Sequence, residues 1–73
     1  MTRTMHMMAR RKHGTFIIRA KREALGLTQQ QLAEKIHTTQ AVISRIENGH
    51  TKPRRLTLEA IARALRIRLT RLI

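Results

Sequence analysis

Apolar side chains in the middle of the chain recur at the spacing of one helix face. Leu32, Ala33 and Ile36 fall on the same side of a helix drawn through them. Thr28 stands just before this set, and its hydroxyl can accept a hydrogen bond from a free backbone N–H of the first helical turn. The pattern therefore predicts a short helix over residues 29–36, capped by Thr28.

The same arrangement is repeated a few residues later. Thr39 is the second predicted cap, and Ile43 and Ile46 supply the inward face of the helix that follows. Gly49 comes next, and a glycine just past a helix commonly ends it in a left-handed conformation. The pattern predicts a second short helix over residues 40–48. Two short helices placed back to back in this way are the outline of a helix-turn-helix.

Further helices are predicted on both sides of this pair. The first begins at a Thr15 cap and ends before Gly26, and a later helix begins near Leu56 or Thr57. A last short helix is predicted near Arg68. The later helix carries an apolar stripe formed by Leu58, Ile61, Ala62 and Leu65. The prediction is an all-α fold, a compact bundle of about five short helices.

Glu59 stands four residues before Arg63 in the fourth predicted helix. Opposite charges at this spacing are neighbours on a helix surface, so we predict an ion pair between these two side chains.

The first fourteen residues lack any sustained helical or alternating period. They contain basic side chains at Arg3, Arg10, Arg11 and Lys12 and four methionines. We predict a flexible basic N-terminal arm over residues 1–14 and one domain over residues 15–73. Two interpretations of the arm stay open: it contacts phosphates or a minor groove, as homeodomain arms do, or it is a loose and partly artefactual terminus.

Length and charge change this picture in two ways. The chain has 73 residues, which is enough for a single domain with a modest core, so we expect a partner subunit to add stability. It has 16 Lys and Arg against 4 Asp and Glu, a formal net charge of +12, and no cysteine for a disulfide or a thiolate metal site. A polyanionic partner is therefore expected.

Among polyanions, duplex DNA is favoured. Twelve of the sixteen basic residues are arginines, whose guanidinium groups bind phosphate bidentately. Phe16 is the only aromatic residue, and recognition of single strands or RNA by stacking needs several. An anionic membrane surface is the second candidate, but it would need one basic helix with a broad apolar face. We expect no membrane partner, because no apolar segment is long enough to span a bilayer.

The chain offers little chemistry for catalysis. Its three glycines form no phosphate-binding loop, and its histidines lack the spacing of metal ligands. The four carboxylates are spread over the chain at Glu23, Glu34, Glu47 and Glu59. We expect a protein that is not an enzyme and uses no metal or cofactor.

Residues 28–49, with Pro53 and the apolar stripe of the later helix, resemble the helix-turn-helix domain of Cro and phage repressors, the XRE family. The resemblance rests on the motifs TQQQLA, TQAVIS, RIENG and IARAL at their observed spacings, and covers about residues 18–72. It implies a lambda-repressor-like DNA-binding domain of five helices that binds palindromic operators as a symmetric homodimer. It also implies a cytoplasmic protein of bacterial or phage origin, associated with the nucleoid.

The second helix of the motif offers the candidates for contacts with bases. Gln40 can pair with N7 and N6 of adenine, and Arg45 with O6 and N7 of guanine. Val42 has two interpretations, a contact with a thymine methyl or a place in the core. The predicted base-contact residues are Gln40, Ala41, Val42, Ser44 and Arg45.

The resemblance also implies contacts with the DNA backbone and one structural ion pair. Gln29 matches a family glutamine that contacts a phosphate, at a helix N-terminus that itself favours an anion. Exposure to solvent without DNA contact is the alternative for these polar positions. Arg22 and Glu47 resemble the family pair that ties helix one to the end of helix three. The predicted backbone-contact residues are Thr28, Gln29, Thr39, Asn48, Lys52, Arg54 and Arg55.

Arg55 departs from the family pattern because an apolar side chain is frequent at its position, which suggests a loop register that differs by one around Leu56. His37 and Arg66 also depart from the pattern, since they stand where glycine is common. We predict a left-handed or similarly strained backbone at both. The last predicted helix is also very short, which leaves the geometry of the dimer open.

Two functional hypotheses follow. In the first, the protein is a sequence-specific transcriptional regulator, a repressor that binds a palindromic operator as a homodimer. In the second, it is the antitoxin of a toxin-antitoxin pair, which binds a toxin protein and represses its own operon.

Overall fold

The computed structural model describes residues 13–73, and every regular element in that part of the chain is helical. The prediction of an all-α bundle is confirmed, with four α-helices and one short 3-10 helix. The α-helices are α1 (His13–Ala24), α2 (Gln29–Lys35), α3 (Gln40–Glu47) and α4 (Arg55–Leu65), and the 3-10 helix is Leu69–Arg71.

The start of α1 differs from the prediction. The helix already includes His13, so Thr15 lies inside it and the predicted cap at Thr15 is wrong. Residues 1–12 of the predicted basic arm lie outside the described residues, and its last two residues belong to α1. The predicted stop is confirmed: Gly26 has φ +74° and its N–H donates to the carbonyl of Glu23 at 3.0 Å.

The predicted caps at Thr28 and Thr39 are confirmed. The hydroxyl of Thr28 accepts from the backbone N–H of Gln31 at 3.0 Å, and the Gln31 side chain accepts from the N–H of Thr28 at 2.8 Å. The hydroxyl of Thr39 accepts from the N–H of Val42 at 3.3 Å. Each cap satisfies a backbone donor that the first helical turn leaves unpaired, and it therefore fixes where α2 and α3 begin.

The left-handed backbone predicted at His37 and Arg66 is confirmed, with φ of 61° and 60°. At each position the backbone N–H of the next residue donates to a carbonyl of the preceding helix. Thr38 donates to the carbonyl of Ala33 and Ile67 to that of Ala62, both at 2.9 Å. These bonds satisfy helix-end carbonyls, and they offset part of the roughly 1–2 kcal/mol that a left-handed conformation costs a non-glycine residue.

The start of α4 is one residue earlier than predicted. Arg55 is its first residue, and Leu56 turns outward with 78% of its surface exposed. Because Arg55 is helical, it stands one turn before Glu59, and its Nε lies 3.3 Å from a carboxylate oxygen of Glu59. The predicted pairing of Glu59 with Arg63 is therefore wrong.

One hydrophobic core holds the helices together, and each α-helix contributes to it. Ile18 is the contribution of α1, and Leu72 packs from the chain beyond the 3-10 helix. The buried apolar residues are Ile18, Leu32, Ala33, Ile43, Ile46, Ile61, Ala62, Leu65 and Leu72. In residues 13–73, no helix has the length and apolar character needed to cross a bilayer.

Candidate nucleic-acid interface

The N-terminal ends of α2 and α3 lie beside each other in the fold. Their first residues, Gln29 and Gln40, are in contact, since the amide nitrogen of Gln40 donates to the amide oxygen of Gln29 at 3.4 Å. Helix N-termini present backbone donors and partial positive charge. The N-termini of α2 and α3 therefore lie on the same side of the molecule as the outward face of α3.

The outward face of α3 carries the residues predicted to read bases. Ser44 is half-buried, and its hydroxyl accepts from the side chain of exposed Asn48 at 3.4 Å. The other predicted base-contact residues, Gln40, Ala41, Val42 and Arg45, are exposed. The structure thus brings these five candidates to one helix, on a surface that is open in the described part of the chain.

Val42 is placed by the structure on the outside of α3. Its side chain is 37% exposed, whereas its neighbour Ile43 is completely buried. The interpretation of Val42 as a core residue is therefore wrong, and its methyl groups are available for apolar contact.

Arg22 and Glu47 meet in the interior between α1 and the end of α3. Nε and Nη2 of Arg22 donate to the two carboxylate oxygens of Glu47 at 2.6 and 3.0 Å, in a bidentate arrangement. Nη1 donates to the carbonyl of Leu27 at 2.8 Å. The side chains are only 9% and 2% exposed. The pair thus ties the C-terminal end of α3 to α1 and to the turn before α2.

The same hydrogen bonds stabilise the positively charged form of Arg22. The hydrogen bonds that Arg22 donates to Glu47 raise the pKa of Arg22, against the opposing effect of burial, and the negative charges of Glu47 and Glu23 raise it further. The stability that a raised pKa contributes is lost only when the pH rises beyond the ordinary pKa of arginine. This contribution of Arg22 is therefore complete throughout the neutral range.

With this geometry in place, the chain can be compared with known proteins. The model of the helix-turn-helix family matches residues 18–72, which span all of α2, α3 and α4 and most of α1. The chain belongs to the helix-turn-helix family. The Cro and XRE resemblance of the sequence is thereby confirmed.

One curated relative of this helix-turn-helix protein is an uncharacterized HTH-type transcriptional regulator of Methanothermobacter thermautotrophicus. It is 43% identical over 49 residues, which make up 67% of this chain and 71% of the relative. No solved structure matches the chain significantly.

Gln29 has a role in this helix-turn-helix that the sequence did not indicate. Its amide nitrogen donates to Glu47 at 3.0 Å, and its amide oxygen accepts from Gln40. A continuous chain of hydrogen bonds thus leads from buried Arg22 to the first residue of α3. No spacing rule predicts the contact of Gln29 with Glu47, because the two residues are 18 positions apart and meet only in the folded protein.

The remaining predicted backbone-contact residues lie at the ends of helices or in the loop after α3. Thr28 and Thr39 are exposed, and their hydroxyls already accept cap hydrogen bonds. Lys52 and Arg54 are exposed beside Pro53, and Arg55 is exposed while pairing with Glu59. The loop and the first residue of α4 therefore present three cations to solvent. Within residues 13–73, no group of His, Asp and Glu side chains is placed to hold a metal ion.

Proposed function

We propose that the protein is a sequence-specific regulator of transcription, a repressor that binds duplex DNA through α3. The observation that carries this proposal is the exposed face of α3, where an amide, a guanidinium group and small apolar side chains stand together on a buried framework. These are the groups that discriminate base pairs in the major groove. The proposed place of action is the nucleoid of the cytoplasm, where duplex DNA is found.

The proposed reading of bases is divided between the two ends of α3. Gln40 faces adenine and Arg45 faces guanine, because their planar groups make paired hydrogen bonds with those bases. Ala41 and Val42 contact thymine methyl groups. Gln40 is held by Gln29, which is held by Glu47, so its amide is orientated before DNA arrives, and less conformational entropy is lost on binding.

The proposed contacts with the DNA backbone flank this reading surface. Lys52 and Arg54 in the loop after α3 bind phosphates, and Gln29 and Asn48 contribute at the two ends of the helix pair. Such contacts position α3 on the duplex without carrying sequence information themselves.

We further propose that two copies bind together as a homodimer on a palindromic operator. Two reading helices related by a twofold axis would fit half-sites about 34 Å apart, one helical turn of DNA. Occupation of such a site in a promoter excludes other proteins from it, which is the proposed mechanism of repression.

Selection of bound duplexes from a random library tests this function directly. We expect recovery of an inverted repeat, and on that site Arg45→Ala or Gln40→Ala should lower the affinity by about 1–3 kcal/mol with little effect on random duplexes. Arg19→Ala on α1 is the matched control, since it removes an arginine that is also exposed but lies outside the reading surface. Equal losses on selected and random DNA would contradict base reading by these two residues.

Phosphate binding by the loop predicts a different signature. Lys52→Gln and Arg54→Gln should each weaken binding to selected and to random duplexes alike, because phosphates are present in both. Each should make the dependence of log affinity on log salt shallower by about one unit. The measurement is a salt titration by fluorescence anisotropy, and a slope that stays the same would show that the residue makes no phosphate contact.

The antitoxin hypothesis stays a second prediction of the sequence. It requires a toxin as a stable partner, and co-purification of the chain with the product of the adjacent gene tests it.

A further inference from the structure

A second concentration of positive charge lies at the end of α4 and just beyond it, and we call it the C-terminal basic face. All its members are exposed and belong to residues 63–71. They are Arg63, Arg66, Arg68 and Arg71.

This face lies at the C-terminal ends of α2 and α4, whereas the reading surface and the loop after α3 lie near their N-terminal ends. Arg63 borders the same groove as Lys35 and His37, at the C-terminal end of α2, whereas Gln29 and the reading surface are at its N-terminal end. Along α4, eleven residues or about 16 Å of helix separate Arg66 from the DNA-binding loop that ends at Arg54. On the other side, Arg71 borders a groove with Lys21 of α1.

None of the chain's four glutamates neutralises this face in the described structure. Glu23 pairs with Arg19, Glu47 pairs with Arg22, and Glu59 pairs with Arg55 at the opposite end of α4. Glu34 accepts a hydrogen bond from Gln30. The earlier start of α4 is part of the cause, because it gives Glu59 a partner other than Arg63.

The helix dipole of α4 needs only one of these four cations at its C-terminal end. The C-terminal end of an α-helix carries the equivalent of about half a negative charge, which one cation near Leu65 is enough to complement. Arg63 is in the last turn of α4 and serves this purpose. Arg66, Arg68 and Arg71 then add repulsion among like charges, which an external anion would relieve.

The character of the exposed side chains indicates which anion fits. Between residues 63 and 71, the exposed side chains are the four arginines and Thr70, while the apolar residues are buried or half-buried. The exposed apolar residues Phe16, in the groove that Arg71 borders, and Ile73, just beyond Arg71, lie at one edge of the face. A protein partner would require apolar anchors at the centre of its docking surface. A phosphate backbone requires only forked donors, which guanidinium groups provide.

We propose that the C-terminal basic face binds the phosphate backbone of a second DNA duplex while α3 holds the first. The protein then bridges two segments of DNA in addition to recognising one. This inference rests on the proposed function, because bridging needs a duplex on the reading surface.

The test separates the two binding steps. The selected operator is immobilised and loaded with protein, and a labelled random duplex is then added at about 0.15 M salt. Capture is expressed per loaded protein, so that the loading step tests the proposed function and the capture step tests the bridging.

Two variants of equal net charge decide the outcome. Arg63→Gln, Arg68→Gln and Arg71→Gln together should leave loading intact, reduce the affinity for the second duplex on the order of 100-fold, and make its salt dependence shallower by about three units. The strained residue Arg66 is kept in this variant. Lys52→Gln, Arg54→Gln and Arg55→Gln together remove the same charge, but they should reduce loading and leave capture per loaded protein unchanged.

Three kinds of result would overturn the bridging. The first is a negative capture step, either loading of the parent protein without capture or equal capture by both variants. Another is tighter binding of poly-glutamate than of duplex DNA to the face, which would assign it to an acidic protein. The third is an altered oligomeric state of the face variant, measured by light scattering together with a thermal melt, which would assign the face to contacts between copies.

Discussion

Replacement of Glu47 by alanine is expected to destabilise the fold by about 3–5 kcal/mol. The substitution leaves Arg22 buried, with the carboxylate that accepts from its Nε and Nη2 removed. It also removes the acceptor of Gln29, so the first residues of α2 and α3 lose their tie to the interior. A domain of this size melts about 4–8 °C lower for each kcal/mol lost, and the measurement is a thermal melt followed by circular dichroism.

Arg19→Ala is the matched control for this prediction. It breaks an ion pair within α1, the helix that carries Arg22, between Arg19 and Glu23, whose side chains are 63% and 56% exposed. Exposed pairs contribute about 0–1 kcal/mol, so the control should melt close to the parent. The double substitution of Arg22 by methionine and Glu47 by leucine should recover much of the loss, because apolar residues replace both buried charges. A Glu47→Ala melt as high as the control's would show that the buried pair has no structural role.

Ile43→Ala in the reading helix is expected to cost about 2–5 kcal/mol of stability. Ile43 is completely buried against the core, so its truncation removes apolar contacts and leaves a cavity that the neighbouring helices fill only in part. Denaturation by urea measures the change as a lower midpoint with a similar slope.

Val42→Ala provides the comparison at the adjacent position of the same helix. The side chain is 37% exposed, and a surface substitution of this kind usually changes stability by about 0.5 kcal/mol or less. The two variants should therefore differ in urea midpoint although each replaces one β-branched residue of α3. Similar midpoints would contradict the orientation of the helix described above.

The local elements of the fold were largely predictable because their signals lie within a few residues of one another. Thr28 and Thr39 cap helices through hydrogen bonds to residues three positions later, so the start of α2 and the start of α3 follow from adjacent sequence. The start of α1 was not predictable in this way. His13 and Gly14 carry no cap or period signal, and the helix nevertheless includes them.

The candidate interface was predictable only in part, as Val42 demonstrates. Helical spacing separates Ile43 and Ile46 from Gln40 and Arg45, but Val42 lies at the border between the two faces. Its orientation depends on how α3 is rotated against the core. The predicted pair of Glu59 with Arg63 failed for a related reason, because a helix that begins one residue earlier offers the carboxylate a different partner.

The sequence by itself determined that there are four α-helices, the threonine caps of α2 and α3, the left-handed residues His37 and Arg66, and the family to which the chain belongs. These properties depend on hydrogen bonds and sterics within one or two helical turns, which a linear pattern records. Only the tertiary structure showed that Gln29 joins Glu47 to Gln40 and that, within residues 13–73, the C-terminal arginines have no glutamate partner. Such features depend on distances between segments far apart in the chain, and the packing of the core decides those distances.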